Sequence, residues 1–299
     1  MNTKSILHSS HTKSAVEKIM HQIFLICGLI SVSAVIGITL YMVTSGAPAI
    51  AKIGILDFLA GKVWNPSSEQ FGILSLIVAS LSATALSILL AVPIGLSTAI
   101  FLTHIAGKRL AGALLFLIEL LASIPSVVYG LLGAILIAPM IFRWQEMAHL
   151  PAGGSLLAAS IVLVIMILPT IISVSSSAIV AVPHSYYDAS LALGSSKMQA
   201  ILRTVLPAAK SGISAGIVLG VGRAIGETMA VLMVAGNAAV MPEFLGLARL
   251  LTVGISLEWA YSSGLHREAL CGIGLVLFVF IMIINIVLST ILKKGGKSS

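Results

Sequence analysis

Arg223 and Glu227 stand four residues apart in a run that is otherwise apolar or small. On a continuous helix that spacing puts both side chains on one face. An arginine at mid-bilayer costs roughly 2.5–3.5 kcal/mol on insertion scales, so it must face protein or water. Two readings follow. In one, the guanidinium offers a permanently charged fork of donors to an oxyanion on a translocation path. Glu227 then holds the arginine or accepts a proton-bearing oxygen from the substrate, which separates a protonated oxyanion from one with no hydrogen to give. In the other, the two charges neutralise each other and merely tolerate burial. Gly212, Gly216 and Gly220 fall on the same face, all five positions within an arc of roughly 80° at 100° per residue. Such a stripe lets a second helix approach closely. Glu119 is a third charge within an apolar run; it either pairs with Arg223 across helices or sits near the membrane surface.

These residues need a membrane around them. Of 299 residues, 58% are hydrophobic and 9% charged, against about a quarter charged in soluble domains. Apolar runs of about 20 residues recur, the length that crosses a bilayer. The expectation is an all-α membrane protein with six transmembrane helices. The runs fall at about 22–43, 71–102 (kinked by Pro93 and Gly95), 110–140 (broken at Ile124-Pro125-Ser126), 155–180 (with Pro169 inside), 208–236 and 269–292. Ser123 and Ser126 can satisfy backbone groups freed by the break. The first run exceeds a signal-peptide core and reads as an uncleaved span. Residues 1–20 read as a disordered or surface-lying tail, 21–292 as the membrane domain and 293–299 as a basic tail.

The net charge of +7 sets topology and does not point to nucleic acid. Six spans put both termini on one side. That side carries eleven of the Lys and Arg residues and the other five, with Arg223 left inside a span. Both termini and the loop at 181–207 are therefore expected in the cytoplasm. Trp64, Trp144 and Trp259 fall in the outer excursions and read as interface anchors. Cys27 and Cys271 lie inside apolar runs, as packing residues. No catalytic spacing occurs: there is no Gly-x-Ser-x-Gly, Cys-x-x-Cys or His-Glu-x-x-His. His8 and His11, three apart, have no other ligand near, and Gly296-Lys297-Ser298 lacks the upstream glycine of a phosphate-binding loop. The expectation is a transport subunit that binds no metal or cofactor and is not an enzyme.

The loop at 181–207 differs from the others. Asp188 to Leu193 is compatible with a helix, Gly194 can end it at positive φ, and a second helix can run from about Ser196 to Leu202. Pro207 then opens the next apolar segment. A loop so structured is built to be gripped.

Its residues also carry a resemblance. Asp188-Ala189-Ser190-x-x-x-Gly194, nine residues, then Thr204-x-Leu206-Pro207 resembles the EAA loop of ABC-importer permeases, with Asp, Ser and Thr where Glu, Ala and Ile are usual. Trp64-Asn65-Pro66 with Phe71-Gly72, Ile124-Pro125-Ser126-Val127-Val128-Tyr129-Gly130 and Gly222-Arg223-Ala224-Ile225-Gly226-Glu227-Thr228 are similar to the phosphate-importer permeases of the PstC type. The resemblance covers about residues 15–292. It implies a type I ABC-importer permease fold, in the bacterial or archaeal cytoplasmic membrane. It also implies a second permease of the PstA type, two copies of an ATPase that uses ATP and Mg, and an extracytoplasmic phosphate-binding protein. Arg223 and Glu227 would line the substrate path; Asp188, Ala189, Ser190, Gly194, Leu206 and Pro207 would couple to the ATPase. Three other readings stand beside it: a sulfate or molybdate permease, an ion-coupled secondary transporter, and a membrane subunit that only recruits an ATPase.

Overall fold

In a computed structural model, residues 3–150 and 153–294 are described. Six helical stretches are long and apolar enough to cross a membrane: Glu17–Ile53, Leu74–Ile105, Ser126–Met147, Leu156–Val180, Lys197–Gly226 and Gly264–Val287. They belong to α1 (Thr3–Ile53), α3 (Leu74–Ile100), α5 (Ser126–Leu132) with α6 (Ala138–Met147), α7 (Leu156–Val180), α9 (Lys197–Ala200) with α10 (Leu206–Gly226), and α13 (Gly264–Lys294). Between them lie α2 (Ile55–Ala60), α4 (Lys108–Ser123), α8 (His184–Ala192), α11 (Met229–Val234) and α12 (Leu251–Glu258). A hairpin of β1 (Trp64–Asn65) and β2 (Gln70–Phe71) pairs Trp64 with Phe71.

The helix α7 is the most buried of the six. Ser155 caps it by accepting from the Ala158 amide at 3.0 Å, so its start falls where the apolar run begins. The pin of the bundle is Ile171. An added Cβ at Gly95 of α3 would lie 2.8 Å from the Ile171 side chain, and one at Gly220 of α10 would lie 3.0 Å from it. Two helices thus close on one isoleucine because neither carries a side chain there. The expected glycine stripe continues down the seam: Gly216 faces Val174 at 3.1 Å, and Gly212 faces Ala178. The α1–α13 crossing uses the same device, with Gly46 against the backbone of Cys271 and Gly272.

Several boundaries differ from the sequence expectation. Helix α1 begins at Thr3, so the residues read as a loose tail start the first long helix. Residues 1, 2 and 295–299, including most of the expected basic tail, lie outside the described residues, as do the side chains of His8 and His11. The segment expected as one helix at 208–236 is broken after Gly226, where Glu227 turns extended at φ −71°, ψ 133°, and resumes as α11. Pro207 stands in the first turn of α10, as expected, but the chain does not start a helix afresh there. The chain is helical from Lys197 onward, with a π-type turn over Ile201–Val205 in which the Leu206 amide bonds the Ile201 carbonyl. That wider turn absorbs the donor a proline lacks. The break at Ile124-Pro125 is present as expected, both residues being extended. Ser123 Oγ bonds the Leu120 carbonyl at 2.7 Å, but Tyr129 Oη, not Ser126, takes the Leu121 carbonyl at 2.6 Å.

The Gly216→Leu and Gly220→Leu variants should each lower the unfolding midpoint in detergent, since forcing side chains into a filled seam costs about 1–3 kcal/mol. Gly222→Ala should not, because nothing lies within 4 Å of a Cβ there. Equal midpoints for all three variants would contradict the seam.

Candidate functional site

Arg223 lies in the last turn of α10, half-buried. Its Nη1 donates to Thr170 Oγ1 of α7 at 3.3 Å. Thr170 is the fifteenth of 25 residues in α7, so the guanidinium sits near the middle of a helix that spans the bilayer, far from either surface. Among the described residues, neither Arg223 nor Glu227 takes part in an ion pair. The self-neutralised pair is therefore absent. Its physical reason is the helix end at Gly226, which takes Glu227 off the face that carries Arg223.

Glu227 does something else. Its Oε1 accepts from the Ala230 amide at 3.0 Å, capping α11. Its carbonyl accepts from Thr252 Oγ1 of α12 at 2.8 Å. The break is thus fixed from both sides. It also lies beside the other broken helix: a Cβ on Gly130 of α5 would stand 2.8 Å from Ala230 Cα. Two half-helices, starting at Ser126 and Met229, pack against each other just past their breaks. Irregular backbone at membrane depth is tolerated where protein covers it or water fills a cavity. Glu119 is exposed on α4 and is in no ion pair among the described residues, so it does not partner Arg223.

The opposite end of the chain's long helices from α8 holds a buried polar cluster that sequence reasoning missed. Glu258 is 6% exposed. It accepts from Arg249 Nη1 at 2.6 Å, Trp64 Nε1 at 2.8 Å and His266 Nε2 at 2.8 Å. Arg249 Nε also donates to the Asn237 carbonyl at 2.8 Å. One carboxylate therefore joins the hairpin, α12, α13 and the loop before α12. Trp64, expected as an interface anchor, is buried in this cluster and meets Phe71 edge-on at 5.4 Å. The Trp-Asn-Pro signal is explained by the turn: Asn65 Oδ1 accepts from the Ser67 amide, and Pro66 follows as the first turn residue. Trp144 and Trp259 are exposed; Arg267 lies 5.6 Å over the Trp259 ring.

At the other end, α8 ends at Ala192, and Gly194 follows it with the positive φ expected of a glycine there, 89°. Ser196 and Gln199 form a reciprocal capping box that starts α9. Tyr186, Ala189 and Leu193 share one face within about 60°, and all three are exposed, Leu193 to 88%. Asp188 points elsewhere, 3.3 Å from His184. Ser190 Oγ accepts from Thr204 Oγ1 at 3.3 Å, tying α8 to the π-type turn. Leu206 and Pro207 lie within the rod of α9 and α10.

Comparison with known proteins gives the family and the fold. The family described as "Binding-protein-dependent transport system inner membrane component" matches residues 91–294. The "Probable ABC transporter permease protein YqgH" of Bacillus subtilis (strain 168) is 38% identical over 270 residues, covering 87% of this chain and 86% of that one. The "Phosphate transport system permease protein PstC" of Pasteurella multocida (strain Pm70) is 36% identical over 262 residues, covering 81% and 82%. Among solved structures, an inward-facing MetNI methionine ABC transporter chain aligns with a TM-score of 0.55 at 18% identity, over 78% of this chain and 99% of that one. A chain of a bacterial ABC transporter involved in the import of the acidic polysaccharide alginate aligns with a TM-score of 0.60 at 14% identity, over 88% and 89%. The likeness to these two is one of fold, the type I ABC-importer permease fold.

Removing Glu258 should leave the Arg249 cation buried and unpaired. Glu258→Ala is expected to cost about 3–5 kcal/mol, and Trp64→Phe, which removes one hydrogen bond to a charged group, about 1.5–3 kcal/mol. Unfolding midpoints of the purified chain check the order; a wild-type midpoint for Glu258→Ala would contradict it.

Proposed function

Given that the chain belongs to the family of binding-protein-dependent transport system inner membrane components, we propose that it is the permease subunit of an ATP-driven phosphate importer. A permease of this family is a multi-pass membrane transport component and not an enzyme. The substrate assignment goes further, and the observation that carries it is Arg223: a mid-membrane guanidinium held by a neutral hydroxyl, with no carboxylate partner among the described residues. A cation so placed attracts an anion, and its planar fork matches an oxyanion. Relatives such as that of Pasteurella multocida bear the name of phosphate permeases. Glu227 uses Oε1 on the Ala230 amide, which leaves lone pairs on the carboxylate to accept a P–OH hydrogen. That acceptor favours hydrogen phosphate over sulfate.

The same reading gives the chain a second permease of the PstA type, two copies of an ATPase that binds ATP and Mg, and a phosphate-binding protein outside the membrane. The termini and α8 face the cytoplasm, as the excess of basic residues on that side favours. The exposed face of Tyr186, Ala189 and Leu193 docks on the ATPase. Gly194 lets α8 move, and the rod from Lys197 to Gly226 carries the movement about 40 Å to Arg223. Closure of the ATPase pair on ATP opens the path outward; hydrolysis returns it inward.

Two experiments test the two ends, with all partner subunits present. Arg223→Gln should reduce labelled phosphate uptake at least about 100-fold with normal protein levels, and in wild type a tenfold excess of sulfate should not compete. Wild-type uptake by the variant would leave Arg223 a packing residue, and uptake of sulfate in place of phosphate would name a different oxyanion. Ala189→Trp should abolish uptake and co-purification of the ATPase without changing the fold, since Ala189 is exposed. Normal uptake by Ala189→Trp would refute the docking face.

A further inference from the structure

We propose that Thr170 completes the anion site: it fixes the Arg223 fork and donates a hydrogen bond from its own hydroxyl to the oxyanion. This rests on the reading of Arg223 as a path residue and deepens it. Five helical threonines in this chain, Thr39, Thr44, Thr98, Thr103 and Thr290, donate the hydroxyl to the carbonyl four residues back, at 2.7–2.9 Å. Thr204 and Thr252 donate theirs to other segments, and the buried Thr84 hydroxyl has no partner among the described residues. Thr170 does not bond back in this way. Among the described residues, the bond recorded for its hydroxyl is the one it accepts from Arg223. A hydroxyl has one proton to give and lone pairs to accept with. With a lone pair holding the guanidinium, the proton is directed away from the arginine and remains available to whatever the arginine binds.

Its place along the helix is set by its two neighbours. Thr170 follows Pro169, which removes a backbone donor from the preceding turn. It precedes Ile171, the residue closed between Gly95 and Gly220. The same clamp that packs α3, α7 and α10 therefore sets where the Thr170 oxygen stands relative to Arg223. A donor fixed before the anion arrives need not be ordered when it binds. The site so described has two donors, contributed by α7 and the end of α10: the Thr170 hydroxyl and the Arg223 guanidinium. Two donors side by side suit the bare oxygens of an oxyanion.

The test is uptake kinetics in vesicles holding this chain and its partner subunits, with inorganic phosphate as the probe. Thr170→Val keeps the shape and removes the hydroxyl; Thr170→Ser keeps the hydroxyl. Thr170→Val should raise the KM for phosphate about tenfold or more at unchanged protein level and unfolding midpoint. Thr170→Ser should stay within about twofold of wild type. Arg223→Gln is run beside them. Loss of transport in Arg223→Gln with wild-type kinetics in Thr170→Val would overturn this proposal and leave the arginine in the path. Wild-type kinetics in Arg223→Gln would overturn the underlying reading and this one with it. Equal loss in the Val and Ser variants, or a lowered midpoint in both, would make Thr170 a packing residue and also overturn the proposal.

Discussion

The bundle depends on how closely three helices come together at Ile171. Gly95 and Gly220 leave room for its side chain and for nothing larger. In a bilayer the lipid tails are as apolar as the helices, so packing of this kind, and not exclusion from water, drives association. The clamp fixes the register of α7 against α10 and thereby places Thr170 beside Arg223. The position of a costly charge at membrane depth thus depends on an apolar contact one residue away.

Two devices then interrupt the packed bundle. Helices that stay continuous satisfy their own backbone; here two of them stop at depth, after Ser123 and after Gly226. Tyr129, Glu227 and Thr252 take up the freed groups. The short helices that follow lean on each other at Gly130 and Ala230. Glu227 gains a role that a continuous helix would deny it, since its carboxylate and its carbonyl serve different neighbours. Far from this break, Glu258 knots the hairpin to α12 and α13, and α12 reaches back to Glu227 through Thr252.

Much of this was legible in the sequence. Run length and low charge gave the six spans, glycine spacing gave the seam, and Ile124-Pro125 gave the first break. Gly194 and the polar residues around it gave the hinged loop. What was not legible arises from contacts between distant segments. Nothing local says that α10 ends at Gly226, because Glu227 leaves the helix to cap α11 and to meet Thr252, 25 residues on. Trp64 looked like an interface residue because its partner Glu258 is 194 positions away. Thr170 carried a weak signal, a hydroxyl directly after a proline in a buried span. Pro207 marked the first turn of α10, but nothing local showed that a π-type turn would join that helix to α9 without a break.

The central claim is that the Arg223 guanidinium itself meets the transported anion. Solid-state NMR of the assembled transporter in lipid, with 15N in the arginine side chains and phosphate supplying 31P, measures that contact. A 15N–31P coupling that corresponds to about 4 Å, the separation of a charge-assisted contact, and that is lost in Arg223→Lys, is the expected result. Bound phosphate with no such coupling, or a coupling that persists in the variant, would contradict the account and place the anion elsewhere.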